Sequence, residues 1–294
     1  MECYQLSRGQ RLALIDTLDL GYQQVVRERQ YAAVQKLGTT PTNVCTVSYC
    51  TPDPAFRFSE HAAASTAPLF FMPGDTAFDL FIPAGAQTGY VSFSEAEFIG
   101  GAQALSPHVW DAPPEHVVQF RSTRQNALSQ ALDLWLSAAD GAAQRGERID
   151  AGMVRGIILQ TALQIVTESC RSDALPPLGA RIRAVRISRK ARDYVQDCFS
   201  AQIVPTIVDV CVSVGVCERT LQYAFQECVG MSPLAYIRRC RLNRVRSTLL
   251  NADAKDTSVT QVAMQFGFLH LGRFAGEYKQ IFEESPTTTL ARCA

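Results

Sequence analysis

The 294-residue sequence lacks the patterns that would place it among metalloproteins, redox enzymes or membrane proteins. Its four histidines, His61, His108, His116 and His270, stand in no metal-ligand spacing. None of the ten cysteines forms a C-x-x-C pair, so zinc-ribbon and thioredoxin-type chemistry have no support. No apolar run approaches the ~18 residues of a transmembrane helix. We therefore expect no metal, no cofactor and no signal peptide, and free thiols in a reduced, cytoplasmic protein.

Net charge is also absent, because 28 basic and 28 acidic residues cancel. The charges are nevertheless unevenly distributed. Residues 1–180 contain 12 Lys/Arg and 18 Asp/Glu, whereas residues 181–294 contain 16 Lys/Arg and 10 Asp/Glu. This asymmetry predicts that only residues 181–294 bind a polyanion.

The first hundred residues consist of short apolar runs separated by turn residues. Strand-like runs occupy residues 44–50, 68–75, 77–85 and 89–93. Several short strands separated by turn residues predict an antiparallel sandwich or small barrel. Residues 1–20 are interpreted as a lead-in that is partly helical.

Helical periodicity begins after the predicted strands. Ser94 is the expected N-cap of a helix, with Glu97 completing a capping box. Two amphipathic segments follow, and a short loop joins them into an αα-hairpin. The stripe of the first segment is expected to pack on the sheet, to form a subunit contact, or to do both. That stripe consists of Leu128, Leu132, Trp135 and Leu136.

One sequence unit occurs twice near the carboxyl end. Residues 206–233 align with residues 258–286, which places Gly215 over Gly267. In each copy a Thr or Ser N-cap precedes a short helix, a glycine turn with positive φ, and a second helix. This order predicts two helix-turn-helix units, at about 206–228 and 258–282.

A helix of about 18 residues is predicted between the two units, beginning at Ser232-Pro233. Its length of ~27 Å suits two reading helices held about one DNA turn, ~34 Å, apart. On the second helix of the first unit, five side chains are predicted to point outward and offer hydrogen bonds to base edges. They are Glu218, Arg219, Gln222, Tyr223 and Gln226.

The string "GMSPLAYIRRCRL" and the later pattern "GF…F…YK..F…SP" resemble the AraC/XylS family of transcription regulators. The resemblance covers about residues 185–290. The string "HLGRFAGEYK" is similar to the subgroup of the ethanolamine-utilisation regulator. The family implies a DNA-binding domain that follows an N-terminal domain for small-molecule sensing, dimerisation, or both. Promoter DNA, RNA polymerase and a second copy of the chain are the implied partners.

The resemblance also implies specific contacts to DNA. Base contacts are expected from Glu218, Arg219, Gln222, Tyr223, Leu271 and Gly272. Phosphate contacts are expected from Gln226, Arg238, Arg239, His270, Arg273 and Lys279. Because the second unit has few polar side chains on this face, we expect the first unit to read sequence and the second to position the protein. Cys217 stands where the family usually has Ser, which costs about 1 kcal/mol of capping.

These observations give a predicted α+β architecture. An antiparallel β-sandwich or cupin-like sheet with a helical hairpin forms a regulatory and dimerisation domain at residues 1–172. The Pro176-Pro177 break marks a linker at 173–187, and an all-α DNA-binding domain with two helix-turn-helix units joined by a helix occupies 188–294.

Three roles remain open for the chain. One is a ligand-responsive activator, with a pocket formed by Phe71, Phe78, Phe81, Tyr90 and Phe93 if these do not simply fill the core. A second is a regulator whose N-terminal domain only dimerises or binds a protein. The third is a basic interaction protein that does not read DNA. An enzyme of the DNA-repair alkyltransferase type would require a four-cysteine zinc site or a Pro-Cys-His nucleophile, and the sequence has neither.

Overall fold

The computed structural model describes residues 1–59, 61–62, 69–121, 126–146, 150–167, 170–171, 179–201, 203–253 and 257–292. The chain divides into two compact units. The N-terminal unit comprises residues 1–2, 13–31 and 36–174, and the C-terminal unit comprises residues 3–12, 32–35 and 175–294. Within the described ranges, each helix is either too short or too polar to cross a bilayer.

Two antiparallel sheets form from the first part of the chain. The strands are β1 (Glu2–Gln5), β2 (Ala13–Asp19), β3 (Gln24–Gln30), β4 (Val34–Thr39), β5 (Val44–Cys50), β6 (Arg57–Phe58), β7 (His61–Ala62), β8 (Leu69–Met72), β9 (Ala77–Ile82), β10 (Gln87–Ser94), β11 (Val118–Arg121) and β12 (Cys170–Arg171). One sheet has the order β12-β11-β8-β5-β10-β3-β2, and the other has the order β1-β4-β9-β6-β7. In the larger sheet Tyr90 lies opposite both Ser48 and Val26.

Four helices cover one face of the larger sheet. They are α1 (Glu95–Leu105), α2 (Pro107–Trp110), α3 (Ala127–Gln144) and α4 (Ala151–Thr167). Alternate residues of β5 and β10, including Val47 and Val91, pack with these helices in one buried core. Since side chains alternate between the two faces of a strand, the residues next to these in β5 and β10 point to the opposite face of the larger sheet. The predicted strand at 44–50, the helical hairpin and the sheet architecture are confirmed.

Glycine allows α3 to approach the sheet closely. A Cβ added at Gly89 of β10 would lie 2.5 Å from the Tyr49 ring and 2.6 Å from Leu132 Cδ2. A Cβ atom essentially never makes contacts this short, so any other residue at position 89 would require the Tyr49 ring and the Leu132 side chain to shift. The lack of a side chain at Gly89 therefore leaves room for these two side chains between α3 and the sheet.

The dimerisation stripe predicted on α3 is corrected by the structure. Leu128 and Leu132 are fully buried, Leu136 is 5% exposed, and Trp135 packs against the same core. The apolar spacing of the stripe reflects burial against the sheet, because that face of α3 is the one that meets β2, β3 and β5. Leu128, Leu132 and Leu136 are thus not available to a second subunit, whereas Trp135 is only partly buried and a subunit contact through it stays a prediction.

Two further expectations about local structure were wrong. Residues 1–20 contain the strands β1 and β2 instead of a helical lead-in. Ser94 is the N-cap residue of α1, but its side chain accepts no capping hydrogen bond. The carboxylate of Glu95 instead accepts a hydrogen bond from the Gly74 backbone N–H at 3.0 Å, which ties the start of the helix to a neighbouring turn.

The C-terminal unit is built mainly from helices. They are α5 (Gly179–Ser200), α6 (Ile207–Val214), α7 (Glu218–Val229), α8 (Pro233–Leu250), α9 (Val259–Gln265), α10 (Leu271–Phe282) and α11 (Pro286–Ala291). Residues 173–178 of the predicted linker lie outside the described residues, and residues 179–187 form the first turns of α5. The predicted 18-residue helix is confirmed as α8.

A segment from the start of the chain completes this unit. The Gln5 backbone N–H donates to Asn243 Oδ1 at 2.9 Å, and Asn243 Nδ2 donates to the Gln5 carbonyl at 3.0 Å. The Gly9 N–H donates to the carbonyl of Ile281 at 3.0 Å. The side-chain amide of Asn243 therefore substitutes for a strand neighbour, a role that no local sequence pattern reveals.

Candidate nucleic-acid interface and sheet cavity

Both repeats have the predicted turn geometry. Thr206 accepts a hydrogen bond from the Asp209 N–H at 3.2 Å, and the Asp209 carboxylate accepts one from the Thr206 N–H at 2.8 Å. The Ser258 side chain accepts a hydrogen bond from the Gln261 N–H at 3.2 Å and so caps α9. Gly215 and Gly267 have φ values of 76° and 73°, in the left-handed region that favours glycine. The helix pairs α6–α7 and α9–α10 are therefore helix-turn-helix units.

Helix α7 buries one face and exposes the other. Leu221, Ala224 and Phe225 are fully buried, and the Phe225 ring lies 5.3 Å from the ring of Tyr236 on α8. The opposite face is polar and open to solvent. It carries Glu218, Arg219, Gln222, Tyr223 and Gln226, and Tyr223 is 57% exposed. The side chains predicted to face DNA are thus brought together on one side of one helix.

Helix α10 repeats this division with a different outer surface. Phe274 and Tyr278 are buried, and the Phe274 ring lies 4.9 Å from Phe268 and 5.7 Å from Tyr278. The exposed face carries His270, Gly272, Arg273, Ala275, Gly276 and Lys279, while Leu271 is half-buried. Because much of this face consists of Gly and Ala, it has low relief and offers few side-chain hydrogen bonds to base edges.

The arginines of α8 act mainly within the unit. Arg238 forms an ion pair with Glu277 of α10. Arg241 donates to the Phe266 carbonyl at 2.7 Å and stacks on the Phe268 ring at 4.3 Å. The phosphate contact predicted for Arg238 stays a prediction, because only its Nε is bonded to Glu277 and the side chain is 34% exposed. Arg239 is half-buried, and burial lowers the pKa of its guanidinium.

Glu277 is a residue that the sequence reasoning missed. Its carboxylate accepts hydrogen bonds from Arg238 and, at 2.9 Å, from Arg273 one turn earlier on α10. Burial raises the pKa of Glu277, but the two guanidinium groups outweigh this effect and the net pKa is lowered. The i,i+4 spacing of Arg273 and Glu277 in the sequence indicates their ion pair, whereas nothing in the sequence indicates the contact between Glu277 and Arg238.

Cys217 occupies the N-cap of α7 without capping it. Its side chain accepts no hydrogen bond from the helix backbone, although Sγ lies 3.2 Å from Thr220 Oγ1. The hydrogen bond to the Thr220 side chain lowers the pKa of the thiol. The weak capping expected for a thiol here is confirmed.

Cys217→Ser is expected to stabilise the C-terminal unit by about 0.5–1 kcal/mol, because a hydroxyl caps the first turn of α7 better than a thiol. Thermal unfolding followed by circular dichroism at 222 nm should show a midpoint raised by about 2–5 °C. The matched control is Ser232→Cys, since Ser232 caps α8 through the Ala235 N–H, and this change should lower the midpoint. Equal midpoints for all three proteins would contradict the capping argument.

The N-terminal unit contains a cavity of about 560 Å³. Of the aromatic residues predicted to form a pocket, Phe78 and Tyr90 line this cavity. Phe71 and Phe93 lie instead in the core that packs on the helices, because they occupy the opposite face of their strands. Phe81 is half-buried and does not line the cavity. The sequence reasoning missed an ion pair at the cavity wall, Glu28–Lys36, since residues 13–39 were not recognised as strands.

Comparisons with known proteins agree with the helical geometry. Residues 210–292 match a family described as a helix-turn-helix domain. The probable thc operon regulatory protein of Rhodococcus erythropolis is 35% identical over 164 residues, which are 53% of this chain and 48% of that protein. The XylDLEGF operon transcriptional activator of Pseudomonas putida is 41% identical over 75 residues, which are 26% of this chain and 23% of that protein. The chain thus spans about half or less of these relatives.

A solved structure also resembles part of the chain. It is an AraC-type DNA-binding transcriptional regulator from Chromobacterium violaceum, 26% identical, covering 37% of this chain and 92% of that one at a TM-score of 0.33.

Proposed function

We propose that this chain is a sequence-specific DNA-binding transcription regulator of the AraC/XylS type, acting as an activator. The observation that carries the proposal is the pair of helix-turn-helix units, each with a capped first helix, a left-handed glycine turn and a second helix with one solvent-exposed face. Relatives of the matched region are named as operon regulators and activators. The likeness to the ethanolamine-utilisation regulator stays a prediction.

In this proposal the two exposed helix faces have different tasks. Arg219, Gln222 and Tyr223 of α7 read base edges in a major groove, because Arg and Gln pair with guanine and adenine. The low-relief face of α10 lies against an adjacent groove and positions the protein, with Arg273 and Lys279 at phosphates. The ion pair between Glu277 and Arg238 connects α10 to α8, and so supports the placement of this face.

The N-terminal unit is proposed to sense a small molecule. Its cavity has the size of a site for a drug-sized ligand and combines apolar and polar walls. Homodimer formation and contact with RNA polymerase belong to the same proposal. They rest on the family resemblance, and a protein-binding N-terminal unit without a ligand is the alternative.

Binding to DNA can be tested with duplexes selected from a random library, followed by gel-shift titration of the full chain. A selected duplex should bind about 10³-fold or more tightly than a scrambled duplex at physiological salt. The logarithm of the binding constant should fall linearly with the logarithm of salt concentration. Binding that depends on salt but shows the same affinity for both duplexes would identify a basic interaction protein instead.

A further inference from the structure

The cavity of the N-terminal unit has two chemically different walls. The wall on the larger sheet is rich in hydroxyl groups, because alternate residues of β5 and β10 that face the cavity are Ser, Thr and Tyr. Their register places Ser48 opposite Tyr90 and Thr46 opposite Ser92. The part of the smaller sheet formed by β6 and β9 is apolar: Phe58 of β6 lies opposite Leu80 of β9, and Phe78 is on the same strand as Leu80. A molecule in this space would therefore meet hydroxyls on one side and aromatic rings on the other.

Several of the cavity hydroxyls have unused hydrogen-bonding capacity. Within the described ranges, the side-chain oxygens of Thr46, Ser48, Thr88 and Tyr90 make no hydrogen bond to protein. Burial raises the pKa of Tyr90, and the nearby Glu28 carboxylate adds to the shift, so the phenol keeps its proton and is a donor. Ser48, Thr88 and Tyr90 are only partly buried, so their hydroxyl groups are open to hydrogen bonds with a molecule in the cavity.

The charge at the cavity wall is balanced. Glu28 of β3 and Lys36 of β4 form an ion pair, and each side chain is only 10% exposed. The same carboxylate oxygen of Glu28 also accepts a hydrogen bond from Gln30 Nε2 at 2.9 Å. The remaining titratable groups that line the cavity are the phenols of Tyr22, Tyr49 and Tyr90 and the α-amino group of Met1, a residue that is 83% exposed. The Glu28–Lys36 pair thus carries no net charge inside the cavity, and the charge of the amino terminus belongs to a residue that is open to solvent.

From this combination we propose that the cavity binds an uncharged amphipathic molecule, with an apolar or aromatic body and hydroxyl or carbonyl groups along one edge. The body packs on Phe58, Phe78 and Leu80, and the polar edge bonds to the hydroxyl wall. This inference rests on the proposed ligand-sensing role and specifies the chemical class of its ligand.

Charged ligands are disfavoured by the ion pair. A carboxylate that approached Lys36 would compete with Glu28 and leave one negative charge uncompensated in a buried site. An ammonium group that approached Glu28 would compete with Lys36 and leave one positive charge uncompensated in the same buried site. Uncompensated buried charge is strongly unfavourable. A neutral molecule avoids that cost and still bonds to the hydroxyl groups.

The test uses three probes of one shape on the full chain at pH 7: 2-naphthalenemethanol, 2-naphthoate and 2-naphthylmethylammonium, with the benzyl and biphenyl equivalents as two further sets. Isothermal titration calorimetry should show, in at least one set, that the alcohol binds about tenfold or more tightly than either ion. If an ion binds as tightly as its alcohol, or no set binds, the inference is overturned.

Two charge variants test whether the Glu28–Lys36 ion pair is what disfavours charged probes. Glu28→Gln leaves Lys36 unpaired and should improve binding of the carboxylate relative to the alcohol by about tenfold. Lys36→Met leaves Glu28 unpaired and should improve binding of the ammonium probe relative to the alcohol by about tenfold. An unchanged ranking in either folded variant would overturn the role of the pair. Where a variant does not fold, the ranking in the unmodified chain decides.

A blocking variant locates the binding. Ser48→Leu places a larger side chain on the hydroxyl wall and should reduce binding of the alcohol at least tenfold. Ser137→Leu makes the same change at an exposed position of α3 and should leave binding unaltered. Equal binding by both variants would place the probe elsewhere and overturn the inference. Gel-shift specificity measured on the same preparations shows separately whether the DNA-binding role holds.

Discussion

Phe274→Ala is expected to destabilise the C-terminal unit by about 3–5 kcal/mol and to abolish DNA binding at 37 °C. The side chain is 1% exposed, and its ring contacts Phe268 on one side and Tyr278 on the other. Removing the ring leaves a cavity where α10 meets the rest of the second helix-turn-helix unit. A loss of this size is a large share of the total stability of a typical domain. Urea unfolding monitored by circular dichroism measures it.

The control for this change lies on the same helix. Gln280→Ala alters an exposed position of α10 and should change stability by no more than about 0.5 kcal/mol. Leu221→Ala removes a fully buried side chain of α7 and should cost about 2–5 kcal/mol in the first unit. Were Phe274→Ala to unfold at the same urea concentration as Gln280→Ala, the aromatic cluster would not be what holds α10 in place.

Arg219→Ala is expected to reduce sequence preference while leaving the fold intact. The Arg219 side chain is exposed on α7 and forms no ion pair with any residue in the described part of the chain, so it is free to reach a guanine edge. A bidentate contact of that kind discriminates between bases by about 1–3 kcal/mol, or about 5- to 150-fold in affinity. The ratio of binding constants for selected and scrambled duplexes should fall by that factor.

Arg273→Ala provides the comparison. Arg273 is also exposed, but it sits on the low-relief face of α10, where a phosphate contact is proposed. Its loss should weaken binding to selected and scrambled duplexes by similar factors and reduce the salt slope by about one. Glu277 would keep Arg238 as a partner, so α10 should stay in place. If Arg273→Ala relaxes specificity more than Arg219→Ala does, the two helix-turn-helix units do not divide their work as proposed.

The local features of the C-terminal unit could be predicted from the sequence because they act within one or two helical turns. The N-caps at Thr206, Ser232 and Ser258 bond to backbone three residues ahead. The glycine turns at Gly215 and Gly267 require positive φ wherever they occur. The apolar spacing of α7 and α10 shows which face is buried without reference to the neighbour that covers it. The two helix-turn-helix units and the polar face of α7 followed from these signals.

The tertiary structure alone decided features that depend on distant partners. Glu277 contacts Arg238 from 39 residues away, so an arginine for which the sequence predicted only a phosphate contact also joins α8 to α10. The stripe of α3 is equally apolar whether a sheet or a second subunit covers it, and only the fold shows that it is the sheet. The Gln5–Asn243 hydrogen bonds span 238 positions. Periodicity and capping report on one element at a time, whereas ion pairs, cavities and buried faces arise only once separate elements meet.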